Sequence, residues 1–418
     1  MNRVLSLLAI VTAFLFAARS FGDDWPQFRG PTGQGHFLKG SLPTEWGPAK
    51  NVVWKQKIPG HGWSSPVIAG GKIYLTTSEI SGDKNEEVLS LRALCIDASK
   101  GSIDWNVEVF QQRVEDAYRI HGKNSHASPT AIVDGDRIIV HFGHQGTAAL
   151  DKAGKILWKN ETLKYSPVHG NGGTPALVGP ALVYSADGGN TQSVIALDRA
   201  TGNLLWKTER DTKAPKKFAF STPLVISVDG KEQIVSPGAG FVAAYEPEKG
   251  TEIWRVHYGS GYSVVPRPVF GYGMVFLSSG FDSPVLYAIR VDGLGDVTKS
   301  HVAWTLKKGA PLTPSPLLVG EELYTISDNG LASCLDAKTG KIHWQERISG
   351  SHSASPIFAD GKIFFLSEDG IGTVVKAAKE FEVLARNELG EKTLASYAAT
   401  DGALFVRTEK HLYRIQNR

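Results

Sequence analysis

Short apolar runs of about six residues, each bounded by turn residues, recur along most of this chain, and they come in sets of four. Lys72 to Thr77 and Lys362 to Ser367 are typical second members of a set. Runs of this length between Gly- and Asp-containing turns predict strands. Most sets open on a hydroxyl residue followed by proline: Ser65-Pro66, Ser128-Pro129, Thr174-Pro175, Thr222-Pro223, Ser315-Pro316 and Ser355-Pro356. A third run ends in an acidic turn, and a fourth carries a tryptophan.

Those tryptophans are Trp54, Trp105, Trp158, Trp206, Trp254, Trp304 and Trp344, spaced 40 to 53 residues apart. The acidic turn is the clearest repeated signal. Ala196-Leu197-Asp198-Arg199-Ala200-Thr201-Gly202 matches Cys334-Leu335-Asp336-Ala337-Lys338-Thr339-Gly340, and in both the tryptophan follows the aspartate by eight residues. Asp97 and Glu246 keep that spacing to Trp105 and Trp254; Asp151 is one residue closer to Trp158. Aspartate and threonine side chains satisfy backbone groups of a tight turn, where glycine accepts positive φ. A buried indole removes ~150–250 Å² from water, roughly 4–6 kcal/mol per repeat as an upper bound. The seven rings are therefore expected to be structural, one to a blade, placed between neighbouring sheets.

Four strands in 40 to 53 residues is the size of a propeller blade. The prediction is all-β: an eight-bladed β-propeller of four-stranded antiparallel blades. Two segments after Trp344 lack the full pattern. In one, Phe381-Glu382-Val383-Leu384 replaces the tryptophan strand; the other, Ala395 to Gln416, supplies three strands. At the opposite end, Asn51 to Ile58 is an unpartnered tryptophan strand. Joining it to the last blade closes the ring and removes an open edge. Seven blades result if the last segments form one irregular blade. The domain reading is 1–22 signal peptide, 23–50 an extended segment packing on the propeller, and 51–418 the propeller.

The signal peptide is read from Arg3, the apolar run Val4 to Ala18, and small residues Ser20 and Gly22 before Asp23. The run is short for a membrane span. This predicts periplasmic or secreted localisation, with no transmembrane segment in the mature chain. Lys plus Arg number 45 against 42 Asp plus Glu, a net charge of +3. Losing Arg3 and Arg19 leaves the mature chain nearly neutral. No basic stripe stands out, so a nucleic-acid partner is not expected.

The pattern Ala-x-Asp-x-x-Thr-Gly-x-x-x-Trp resembles the repeat of PQQ-like propellers, over essentially the whole mature chain. The opening Trp25-Pro26-Gln27-Phe28-Arg29-Gly30-Pro31 and the segment His121 to Pro129 are similar to a secreted bacterial branch of that family. The resemblance implies two functional alternatives. One is a quinoprotein alcohol dehydrogenase holding PQQ and calcium against a disulfide between adjacent cysteines. The other is a protein-binding scaffold like the propeller lipoprotein of outer-membrane β-barrel assembly. Cys95 and Cys334 are the two cysteines, and they are not adjacent. Both fall in the slot of Ala196, in blades that are not neighbours, so no disulfide is expected. No lipidatable cysteine follows the apolar run.

Function in such a ring is expected on loops at one end of the channel. The loops before the first strand of each blade hold His61, Trp63, His121, Lys123, Asn124, His126, His169, Asn171, Tyr262, Arg267 and His352. Repeat equivalence places them on one rim. They are the candidate ligand-binding residues, though loops of this kind also serve merely to cap strand ends and hold channel water. No nucleophile stands beside a base, and no metal-ligand spacing is convincing; His141 and His144 would point to opposite faces of a strand. Glu108 to Ile120 is a polar insertion with helical potential. The resulting expectation is a monomeric, non-catalytic scaffold with no resident cofactor that binds a protein, peptide or glycan. The alternative is a PQQ-dependent dehydrogenase using PQQ with calcium.

Overall fold

The computed structural model describes residues 24–83 and 86–417, and the predicted signal peptide lies outside them. The described chain forms eight four-stranded antiparallel blades. Blade 1 comprises Val67–Ala69, Lys72–Ser81, Val88–Asp97 and Ile103–Arg113. Blades 2 to 7 open on Ile132–Asp134, Ala176–Val178, Leu224–Val228, Val269–Gly271, Leu317–Val319 and Ile357–Ala359. Blade 8 comprises Ala398–Thr400, Ala403–Arg407 and His411–Gln416, with Val52–Lys57 as its outer strand. That strand runs antiparallel to His411–Gln416, from Val52 opposite Ile415 to Lys57 opposite His411. The count is therefore eight, with the ring closed by the N-terminal strand.

The repeated tryptophans and acidic turns are one device. Asp198 Oδ1 accepts the N–H groups of Ala200 and Thr201 and the Thr201 hydroxyl; Asp97 and Asp336 hold their turns likewise. Each such turn then receives the indole of the preceding blade. Trp54, Trp105, Trp206, Trp304 and Trp344 donate Nε1–H to the carbonyls of Ala98, Lys152, Pro247, Ala337 and Ala378 at 2.8–3.1 Å. The turn glycine leaves room for the ring: a Cβ at Gly202 or Gly250 would collide with Trp158 or Trp206. Trp254 departs from this pattern. It is fully buried and donates to Gln233 within its own blade. Gly295–Asp296 adds a parallel strand beside it.

The polar insertion after Glu108 is not helical. Its first residues continue the outer strand of blade 1 to Arg113, paired with Val88, and a single 3-10 turn, Val114–Asp116, follows. The long partner strand offers ladder hydrogen bonds that a short helix here would forgo. Among the described residues no helix is long and apolar enough to cross a membrane.

Residues 24–37 run beneath the ring. Trp25 exchanges backbone hydrogen bonds with Ile68 of blade 1, and Pro26 accepts from Val133 of blade 2. Arg29 reaches the carbonyl of Pro316, before blade 6. His36–Phe37 then lies parallel to Phe358 and Ala359 of blade 7. Further on, Trp46 is buried against Phe364 and Tyr397 and fixed by Asn387.

Candidate functional site

The hydroxyl residue that opens each blade has a specific partner. The N–H of Ser65 donates to Thr130 Oγ1, Thr130 to Thr174, and Thr174 to Thr222, at 2.9–3.0 Å. Across the channel Arg267 donates to Ser315, Ser315 to Ser355, Ser355 to Ser396, and Ser396 back to Ser65, again at 2.9–3.0 Å. The result is a belt around the channel with a hydroxyl at seven positions and Arg267 at the eighth. Ser128-Pro129, which the sequence pattern groups with these openings, is not in the belt. The strand of blade 2 starts two residues later, so Thr130-Ala131 takes the slot, while Ser128 bonds Asn124 and Ser125 within its own loop.

Above the belt lies a cavity of about 550 Å³, floored by Phe28 of the N-terminal segment and rimmed by loops of all eight blades. One side is aromatic. The rings of His121, His169, Phe218 and Tyr262 form a chain of edge-on contacts with centroids 5.3–5.6 Å apart, extended by Phe220 and Phe281. Lys216 sits over the Tyr262 ring at 4.2 Å, and the Tyr262 hydroxyl donates to Asp282. The other side is polar, with Thr313, Asp328 and Ser353 beside the belt hydroxyls. Burial raises the Asp328 carboxyl, whose Oδ2 accepts the N–H groups of Leu312 and Thr313. Lys123 ties the loop before blade 2 to Glu368 of blade 7 at 2.7 Å, spanning the edge of the mouth over blades 8 and 1.

Of the eleven sequence-predicted site residues, Trp63, His121, Lys123, Asn124, His169 and Tyr262 line this cavity. The other five do not. His61 packs edge-on against Trp63 and pairs its backbone with Ser78. His126 is half-buried in its loop. Asn171 is buried among Tyr165, Phe142 and His144, bonding all three. His352 is fully buried, and burial brings its imidazole down to about 4. Arg267 is buried under the belt, donating to the Phe28 carbonyl. Burial also holds His61, His126 and His169 below the usual imidazole range.

Lys216, Phe218, Phe220, Phe281, Thr313 and Asp328 line the cavity but were not predicted. Phe281 and Asp328 lie in turns joining second and third strands, which emerge on the same end as the loops before first strands. That alternation of strand direction was a usable signal. The other four lie in loops of unequal length, where the repeat gives no register.

The residues present do not fit PQQ with calcium. Calcium needs six to eight oxygen ligands, and among the described residues no three His, Cys, Asp or Glu are grouped to hold a metal. Asp328, the carboxylate that lines the cavity, is committed to backbone N–H groups. Cys95 and Cys334 are free, buried and each cross-strand from a blade tryptophan.

Comparison with known proteins agrees with the fold. Outer membrane protein assembly factor BamB of Burkholderia pseudomallei (strain K96243) is 26% identical over 314 residues, covering 73% of this chain and 62% of that protein. The Yersinia pestis protein of the same name is 23% identical over 230 residues, 50% of this chain and 54% of that one. The matches thus span less than two thirds of these relatives' length. The crystal structure of BamB from Moraxella catarrhalis superposes with a TM-score of 0.57 at 13% identity, over 87% of this chain and 99% of that one. Quinohemoprotein alcohol dehydrogenase ADHIIG from Pseudomonas putida HK5 gives 0.54 at 12% identity, over 85% and 76%. At such identities the likeness is one of fold alone. Residues 46–187, 190–311 and 295–380 match the family model described as outer membrane protein assembly factor BamB, and the chain belongs to that family of PQQ-like β-propellers.

Proposed function

We propose that this chain is an exported scaffold that binds a protein, peptide or glycan partner across the upper mouth of its channel and performs no chemistry itself. The observation that carries this reading is the composition of that mouth. Aromatic rings and the long cations Lys123 and Lys216 meet there on loops held by a rigid ring. Aromatic side chains on a fixed framework are typical anchors of a recognition surface, with charged side chains at its rim. Among the described residues neither His121 nor His169 is hydrogen-bonded to a cavity hydroxyl, so no cavity histidine is paired with a nucleophile. The relatives' name places them beside outer-membrane protein assembly, which is consistent with a protein partner outside the cytoplasm.

A photo-crosslinking residue placed at Phe281, on the mouth, tests this directly against one at Leu205, on the outer edge of blade 3 and similarly exposed. The expected outcome is a discrete adduct from position 281 in the exported protein and none from position 205. Equal labelling at both positions overturns the mouth as the docking face. Stoichiometric uptake of pyrroloquinoline quinone with calcium, accompanied by a raised melting temperature, overturns the scaffold reading in favour of a dehydrogenase.

A further inference from the structure

We propose that the throat of the channel is an oxyanion site, taking the carboxylate or phosphate head of a small organic anion whose apolar body lies in the aromatic-walled cavity above. This goes beyond the scaffold reading and stands whether or not the mouth binds a macromolecule.

The argument starts from what the belt leaves unspent. Each of its seven hydroxyl oxygens accepts a backbone N–H from the neighbouring blade. A serine or threonine hydroxyl also carries one donor hydrogen. Among the described residues no belt hydroxyl donates to a protein acceptor, and all seven line the cavity. The throat is therefore ringed by free O–H donors. The eighth position carries no hydroxyl, and the side chain of Arg267 there turns beneath the belt, where it places positive charge under the throat without lining the cavity. Arg267 is 3% exposed and Arg29, just below it, 1%. Their guanidinium groups are held by carbonyls alone: Arg267 by Phe28, Arg29 by Pro316 and Gln34. The Nε atom of each has no acceptor, and among the described residues neither group has a carboxylate partner.

A buried charge without a counter-ion is costly, and here two of like sign lie together. Burial, with repulsion from Arg267 added, brings the Arg29 group down to about 9; burial alone brings Arg267 to about 10. Both remain cationic at neutral pH. Donors on every side and uncompensated positive charge call for a ligand that only accepts hydrogen bonds and is negative. An ionised carboxylate or phosphate meets both conditions. A neutral sugar brings donors of its own and leaves the charge uncompensated. Of the carboxylates near the mouth, Glu368 is paired with Lys123 and Asp282 with Lys216, and Asp328 is held by the N–H groups of Leu312 and Thr313. Above the throat, Phe218, Phe220 and Tyr262 form an apolar wall, and the volume suits a small molecule.

The test is titration of the purified protein with benzoate and with phenyl phosphate at constant ionic strength, read by tryptophan fluorescence and thermal melting. Benzyl alcohol serves as the neutral counterpart. A saturable response is expected from at least one anion and none from the alcohol, and the tighter of the two identifies the preferred head. In Arg267→Met and in Thr130→Val the affinity should fall at least about tenfold. If Arg267→Met does not fold, Thr130→Val and Thr174→Val carry the test. An equal response to benzyl alcohol, no saturable response to either anion, or unchanged affinity in the folded variants overturns the proposal.

Discussion

Glu391 shows how one side chain can hold a ring shut. It lies between blades 7 and 8 and accepts hydrogen bonds from Lys55, on the closing strand, and from Thr408 and Tyr413, with His411 at 2.9 Å. Burial pushes its carboxyl up, but the bonds from Lys55, Thr408, His411 and Tyr413 outweigh that and carry it down to about 2. A carboxylate whose folded value is depressed stabilises the fold above its unfolded value, and that stability is lost as pH falls through the folded value. Glu391→Gln should therefore cost about 1–3 kcal/mol at neutral pH. The difference between variant and parent should shrink between pH ~4.5 and ~2, because protonation gives the parent the same neutral group. Chemical denaturation across that range measures it. Nothing in the local sequence marks Glu391, since its partners lie 17 to 22 residues downstream or, for Lys55, at the other end of the chain. By contrast, the neighbourhood of the cysteines was legible. Both occupy the slot of Ala196, opposite the tryptophan of the same blade, because the repeat fixes cross-strand register.

Among elements, the indole-on-turn contact is what the repeat encodes most openly, and it makes a graded prediction. Gly202 has φ +75° and faces Trp158 closely, whereas Gly230 has φ +76° with nothing near its missing Cβ. Gly230→Ala should cost only the left-handed backbone penalty, ~1–2 kcal/mol. Gly202→Ala adds displacement of the indole, about 1–3 kcal/mol more. Urea unfolding of the two variants measures the gap, and equal losses would mean the indole contact contributes nothing. The belt was half legible. Its hydroxyl-proline openings were visible at five of eight blades, but Thr130-Ala131, Arg267-Pro268 and Ser396-Tyr397 break the pattern while keeping the position. Blade 2 misled because its Ser-Pro, Ser128-Pro129, stands two residues upstream of the true slot. The aromatic wall was less legible still, since Phe218 and Phe220 lie in a loop, 210–223, far longer than those before blades 7 and 8, 348–356 and 389–397, so the repeat gives it no register.

For the whole molecule, the N-terminal residues do two separable jobs. Residues 24–37 cross beneath the channel, burying Trp25 and Phe37 and placing Phe28 under the cavity. Val52–Lys57 completes blade 8. The second job was readable from a lone tryptophan strand at one end and three strands at the other. The first was not, because contacts such as Arg29 to Pro316 join residues 287 apart with no repeat to relate them. A chain beginning at residue 38 loses the underside contacts but keeps a closed ring. It should still unfold in one cooperative transition, with a melting temperature lower by several degrees, since each ~1 kcal/mol moves a chain of this size by about 2 °C. A chain beginning at residue 58 also loses the outer strand. Blade 8 then ends on His411–Gln416 with its hydrogen-bonding edge open, and Trp54 no longer seals the gap to blade 1 at Ala98. Exposed edges pair with other chains. This shorter variant should unfold in a broadened transition and associate with concentration in sedimentation, while the longer one should not. If the two behave alike, the closing strand is dispensable, and the ring is held by the blade interfaces alone.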